Sequence, residues 1–550
     1  MQIGQCGAIV RRRGRRVASR HFLPPTNVCC RDRLDPVNCD RPMNPCHLPV
    51  LATTLVVLGS LLPQSCTAEV MLAPPFTDHA VLQRNLPVPV WGRGTAGETV
   101  TVRFRGQTHK TVAGADGRWS VQLDPMPANA EGTDLFVTGK NTVILNDVVV
   151  GEVWLASGQS NMEWPLNLTL HGKDDTAGAN FPLIRQLKVE HSPADLPVDT
   201  VKTSGWQTAT PETASGFSAV AYFFARELAS KLKVPVGIIH SSWGATPIES
   251  WLAEPVLRAS TAWPGFNANW EEALKVFPER SAEYPALDRA WRKANDAAQA
   301  TGRPNPLPWP HPPVGPGTAF APGALFNGMI TPLAPYALRG ALWYQGEANV
   351  GRAGEYAELF PAMIRDWRKT WGQGDFSFLF VQLPNYADGE PAGRKWAALR
   401  EAQNAALMLR HVGTAITIDV GEPNNLHPTD KQPVGLRLAL VAEAKTYDLS
   451  VEWTGPVFHS AMREGAAMRV KFTHAQGLNA RESGITGFEI AGADKVFHPA
   501  KARIDGKAVI VSAAEIPEPV AVRYAWTNSP VASLFNRAGL PAAPFRTDTW

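Results

Sequence analysis

The chain has 550 residues, 44% hydrophobic and 19% charged, which is too long for one compact core and describes a globular protein of two to four domains. Nine of its 53 basic and three of its 50 acidic residues lie in the first 66 positions, leaving 44 and 47, so the formal charge of +3 becomes −3 beyond that segment. All six cysteines (Cys6, Cys29, Cys30, Cys39, Cys46 and Cys66) lie there too. The remaining residues give no reason to expect a nucleic-acid or acidic-membrane partner, and they have no means of forming a disulfide, a thiolate nucleophile or a cysteine-ligated zinc.

Residues 1–68 read as a basic leader and signal peptide. The apolar run from Leu48 to Leu62 has the length of a signal-peptide core and is short for a bilayer span. Small residues at Ser65, Cys66, Thr67 and Ala68 place cleavage after Ala68, and Met43 offers an alternative start. The expectation is export, to the periplasm or beyond, without a membrane span in the mature chain. A retained N-terminal anchor is the competing reading. A lipid on Cys66 fits less well, because Pro63-Gln64-Ser65 makes a poor lipobox.

From 69 to 148 short alternating runs such as Val88 to Trp91, Thr99 to Phe104 and Trp119 to Leu123 stand between Gly-rich turns, predicting a small β-sandwich. From 149 to 450 apolar strands alternate with amphipathic helices. The strands are predicted at Val148 to Ala156, Val236 to His240, Gly340 to Tyr344, Phe376 to Leu383 and Thr414 to Asp419. The helices are predicted at Ser218 to Leu232, along the face Tyr356, Leu359, Phe360, Met363, Ile364, Trp367 and Trp371, and at Asp430 to Tyr447. Such alternation implies a parallel sheet covered on both sides. Residues 253–322 interrupt it with a polar helical stretch and a Pro-rich run, an insertion beside the site. Residues 451–527 return to short strands, a second β-domain, and 528–550 form a tail expected to pack on the catalytic domain. The 18 Trp suit a core and also suit stacking on sugar rings.

Four polar clusters follow four predicted strands. The first is Ser157-Gly-Gln-Ser160-Asn-Met162, where Ser160 stands at the carboxyl end of a strand, as a nucleophile should in an open parallel sheet. Met162 replaces the second glycine of an α/β-hydrolase elbow, so that fold is disfavoured. The second is Ser241-Ser-Trp-Gly244-Ala-Thr-Pro-Ile-Glu-Ser-Trp251, in which Gly244 can bring its N–H close to a ligand. The third, Trp343-Tyr-Gln345-Gly-Glu347-Ala-Asn349, offers an amide donor and polar contacts. The fourth, Asn424-Asn425-Leu-His427-Pro-Thr-Asp-Lys431, carries a candidate base before a helix. A single Ser caps helices and a single His is usually structural, but four such clusters at strand ends point to a site.

These motifs, in this order, resemble the sialate O-acetylesterase family of SGNH hydrolases, from about Pro74 to Asp548 and including Val522-Arg-Tyr-Ala-Trp526. The resemblance implies a flavodoxin-like three-layer α/β/α catalytic domain with flanking β-sandwich domains, no metal or organic cofactor, and an acetylated carbohydrate as substrate. By motif, Ser160 resembles the nucleophile, with its N–H in the oxyanion hole. Gly244 resembles the second oxyanion donor, Gln345 stands where most SGNH enzymes carry an Asn donor, and His427 resembles the base. Gln159, Asn161, Glu347 and Asn349 are candidate substrate contacts. Many SGNH enzymes carry an Asp three residues before the His, where this chain has Asn424. Asp419, Glu422, Glu347 or a backbone carbonyl such as that of Asn425 could orient the imidazole, and a Ser-His dyad held by a carbonyl is the favoured expectation. An acetylxylan or other plant-polysaccharide esterase is the alternative substrate reading. A carbohydrate-binding protein on a degenerate scaffold is the alternative class. The oligomeric state is not set by the sequence.

Overall fold

The computed structural model describes residues 69–301, 303, 305–480 and 484–550, which form one compact unit. The predicted leader, its apolar run and the cysteines therefore lie outside the described residues.

The N-terminal β-region is present. Strands Met71–Leu72, Val88–Arg93 and Arg118–Leu123 form one small sheet, and Thr99–Phe104 pairs with Gln107–Val112 and with Asn129–Thr138. Its expected boundary at position 148 falls inside a strand. β1 (Thr142–Gly158, 17 residues) pairs with Asn129–Thr138 at its start and becomes a central strand of the large α/β sheet at its end. β1 is continuously buried from Val148 to Gly158, so sandwich and catalytic sheet share one apolar core.

After β1 come α1 (Ser160–Glu163), β2 (Phe181–Val189), β3 (Thr203–Ala209), α2 (Ala219–Leu232) and β4 (Val236–Ser242). The insertion supplies α3 (Trp263–Ala300), a 38-residue helix with Pro278 and Pro285 inside it. The domain is completed by β5 (Gly340–Tyr344), α4 (Ala353–Trp371), β6 (Ser377–Val381), β7 (Val412–Ala415) and α5 (Gln432–Lys445). The sheet order is β3-β2-β4-β1-β5-β6-β7. All neighbouring pairs are parallel except β3 with β2 at the edge. The core β4-β1-β5-β6-β7 has the flavodoxin order, in which the first strand sits beside the second and third.

Register shows why both faces are covered. Trp154 of β1 lies opposite Gly340 of β5, whereas Ser157 lies opposite Trp343, so the two indoles leave the sheet on opposite sides. Trp154 meets Phe224 of α2, while Trp343 meets Phe360 and Trp367 of α4. Burying each such ring contributes about 2–3 kcal/mol of transfer free energy.

The second β-domain carries two four-stranded sheets. The tail packs on the catalytic domain at its root, where Asn528 accepts from Trp396 N–H and Arg400. Near its end Arg546 also pairs with Glu401 of that domain, and the tail completes the β-domain as well: Leu534–Phe535 pairs with Asn479–Ala480, Phe545–Arg546 pairs with Ala521–Tyr524, and Asp548 pairs with Arg523. Among the described residues no helix is long and apolar enough to cross a membrane.

Candidate active site

The carboxyl ends of β1, β4 and β5 and the loop after β7 converge. Gly158 has φ +137°, and a Cβ there would lie 2.2 Å from the Tyr344 carbonyl, so only glycine permits this approach. The turn it makes places Ser160 at the first position of α1, where the backbone N–H has no partner within the helix.

His427 reaches Ser160 across the sheet edge: Nε2 stands 2.8 Å from the Ser160 hydroxyl. For the hydroxyl to donate to Nε2, the ring proton must reside on Nδ1. The ring stacks on Trp164, with centroids 5.2 Å apart and planes 18° apart. Burial, and after it the nearby Lys431 ammonium, push the imidazole down to about 4, so it rests as the free base.

The candidates for orienting His427 are engaged elsewhere. Asp419 forms a two-pronged ion pair with Arg437. Glu422 accepts from the N–H and hydroxyl of Thr429 and from the Asn425 amide. Glu347 accepts from Asn161 at 2.6 Å. Among the described residues no carboxylate pairs with the His427 ring, and no hydrogen bond joins Nδ1 to the Asn425 carbonyl. Asn425 acts instead through its side chain, whose oxygen accepts the His427 N–H at 3.0 Å. The loop is thus braced by Glu422 and Asn425, and the ring by Trp164.

Gly244 lies against Ser160, for a Cβ on it would be 3.3 Å from Ser160 Cβ. Its N–H, however, donates to Glu163 Oε2 at 2.8 Å. The other Glu163 oxygen pairs with His191 Nε2 at 2.9 Å, and His191 stacks on Trp243 at 4.0 Å. Burial raises the Glu163 carboxyl, but His191, the charge of His240 and the Gly244 N–H outweigh it and hold the group below the ordinary range.

Gln345 departs from its expected role. It is fully buried, and its amide donates to the Thr246 carbonyl and to Asn349 Oδ1 rather than toward Ser160. Asn349 in turn accepts from Ile248 N–H and donates to Glu249. Gln159 faces Gly346 N–H and Ala348 N–H, and Asn161 bonds Glu347, the Leu426 carbonyl and Lys431. The four expected substrate contacts are thus turned inward and stitch the motif loops together. Glu163, Trp164, His191, Trp243 and Lys431 are the site residues that sequence reasoning missed. Glu163, Trp164, Trp243 and Lys431 stood within or beside the four motifs, whereas His191 follows β2 with no motif to mark it. Trp154, Trp251, Trp343 and Trp367 are fully buried core residues, while Trp164, stacked on His427, and Trp243, stacked on His191, keep partial exposure. Among the described residues no group of three or more His, Cys, Asp or Glu is arranged to hold a metal ion.

Residues 319–444 match the family model of carbohydrate esterases described as sialic acid-specific acetylesterase. The rat sialate O-acetylesterase is 30% identical over 505 residues, covering 83% of this chain and 90% of the rat protein. The chain belongs to the sialate O-acetylesterase family. The human family member is 27% identical over 544 residues, covering 89% of this chain and 96% of its own. A carbohydrate acetylesterase from Xanthomonas citri is 38% identical with a TM-score of 0.74, and the match covers 88% of this chain and all of the other. The sialate O-acetylesterase family is thus matched across the sandwich, the catalytic sheet and the C-terminal β-domain together.

Proposed function

We propose that this protein is a carbohydrate O-acetylesterase that removes acetyl groups from sialic acid or a related acetylated glycan through an acyl-enzyme. The observation that carries the reading is the 2.8 Å contact between Ser160 and His427 at the carboxyl edge of the sheet.

His427 Nε2 takes the Ser160 proton as the oxygen attacks the acetyl carbonyl. The Ser160 and Gly244 N–H groups receive the developing oxyanion, and the acetyl oxygen reaches Gly244 by displacing the Glu163 carboxylate. The imidazolium then gives its proton to the departing sugar oxygen, leaving acetyl-Ser160. Water attacks that ester, giving its proton to His427. Acetate leaves, and the proton returns to Ser160. Trp164 and Trp243 flank the serine as apolar walls suited to a sugar ring. Export, from the apolar run at 48–62, is part of the same reading.

Acetate release from a panel of O-acetylated sialic acid, xylan and pectin fragments, with p-nitrophenyl acetate as a general ester, tests it. Wild type should hydrolyse the ester and at least one glycan, and Ser160→Ala should lose both activities. Ester hydrolysis that survives Ser160→Ala would overturn the mechanism, and tight glycan binding without hydrolysis would support a binding protein instead.

A further inference from the structure

A buried cation stands directly behind the Ser160–His427 pair. Lys431 is 1% exposed, and its ammonium donates to Asn161 Oδ1 while lying over the rings of Trp164 and Tyr344, at 5.8 Å and 5.6 Å. Asn161 follows the nucleophile in sequence and is itself fully buried. Its amide donates to the carbonyl of Leu426, the residue before His427, at 3.1 Å, and to Glu347 at 2.6 Å. Every side-chain polar atom of Asn161 is therefore used to bind the serine turn to the histidine loop, and Lys431 anchors that amide from the far end of the same loop.

We infer that Lys431 is a positioning residue which, through Asn161, locks the turn carrying Ser160 to the loop carrying His427, the task a third-member carboxylate performs elsewhere. The inference rests on the esterase reading. A loose Ser–His register is costly, because misplacement by about 1 Å lowers turnover about 10²-fold. Burying an ammonium is also costly, so a lysine here needs partners: its Asn161 bond and the carboxylates of Glu347, Glu422 and Asp430 sustain its charge against burial, which pushes it down to about 7. That charge in turn disfavours protonation of the nearby His427.

Hydrolysis of p-nitrophenyl acetate across pH by the full chain tests the inference. Lys431→Met should lower kcat about 10²-fold with KM within about threefold. It should also move the acid limb of kcat/KM upward by about one unit, because a like charge beside the imidazole has gone. Asn161→Ala keeps the ammonium but cuts the tie, so kcat should fall comparably while the acid limb moves less. Wild-type kcat with an unmoved limb in Lys431→Met would overturn the inference. If that variant does not fold by near-ultraviolet circular dichroism, wild-type kcat in Asn161→Ala would overturn it. Activity surviving in Ser160→Ala would defeat the esterase mechanism itself, a result distinct from either of these.

Discussion

The two sides of the site are built to different specifications. Behind Ser160 and His427, the polar groups of Asn161 and Lys431 are buried and hold one another, so hydroxyl and imidazole meet without rearrangement. In front, the Gly244 N–H is covered by a carboxylate whose side chain is 25% exposed, paired to a histidine that is 38% exposed. The Ser160–His427 pair is held by buried groups, whereas the Gly244 N–H, the proposed oxyanion donor, is covered by a partly exposed one. Proton transfer from serine tolerates little positional error, while a negative charge at the Gly244 amide opposes the oxyanion only as long as it stays.

The largest effect should come from the rigid side. His427→Ala should lower kcat for p-nitrophenyl acetate at least about 10⁴-fold, since among the described residues no other side-chain base is hydrogen-bonded to the Ser160 hydroxyl. Gly244→Ala keeps the N–H but sets a methyl group 3.3 Å from Ser160 Cβ, and by displacing the hydroxyl should lower kcat about 10²-fold. Glu163→Gln removes the charge facing the oxyanion position and should tighten inhibition by a boronic acid about tenfold; unchanged inhibition would mean the carboxylate does not compete there. Asp419→Ala should leave kcat within about threefold and lower the melting temperature, because Asp419 serves Arg437. A loss matching that of Ser160→Ala would make Asp419 the missing acid.

The pH dependence sharpens the same contrast. His427 and the fully enclosed His240 are both pushed down to about 4, chiefly by burial, from an ordinary 6.5. Between those values the unfolded chain holds protons that the folded one does not, so stability should decline as pH falls from about 6.5 toward 4, as a series of thermal melts would show. The acid limb of kcat/KM should likewise lie near 4, and a limb near 6.5 would indicate a carboxylate or solvent beside the ring.

The sheet was legible because buried parallel strands read as apolar runs, and β1, β4, β5 and β6 lie where such runs predicted them. The seventh strand stops at Ala415 although the apolar run continues, because Ile416 and Ile418 turn away to join the core of the C-terminal β-domain. β2 and β3 carry mixed patterns and escaped notice, β3 being an antiparallel edge strand with little continuous burial. The site showed the same division. Spacing identified which loops meet, since each motif follows a strand, but not the direction of each side chain. Gln345 and Asn349 look like ligand contacts in sequence, yet their amides find partners between the Gly244 and Gln345 loops. The Asp that many SGNH enzymes carry before the histidine was missing in sequence, and among the described residues no carboxylate pairs with the ring in its stead.

The most direct test of the central claim is to quench the enzyme during turnover of p-nitrophenyl acetate and map the acetyl group by peptide mass spectrometry. Acetyl-Ser160 in wild type, accumulating when proton transfer in deacylation is slowed, is the predicted result. An acetyl group on a different residue, or full turnover in Ser160→Ala, would contradict it.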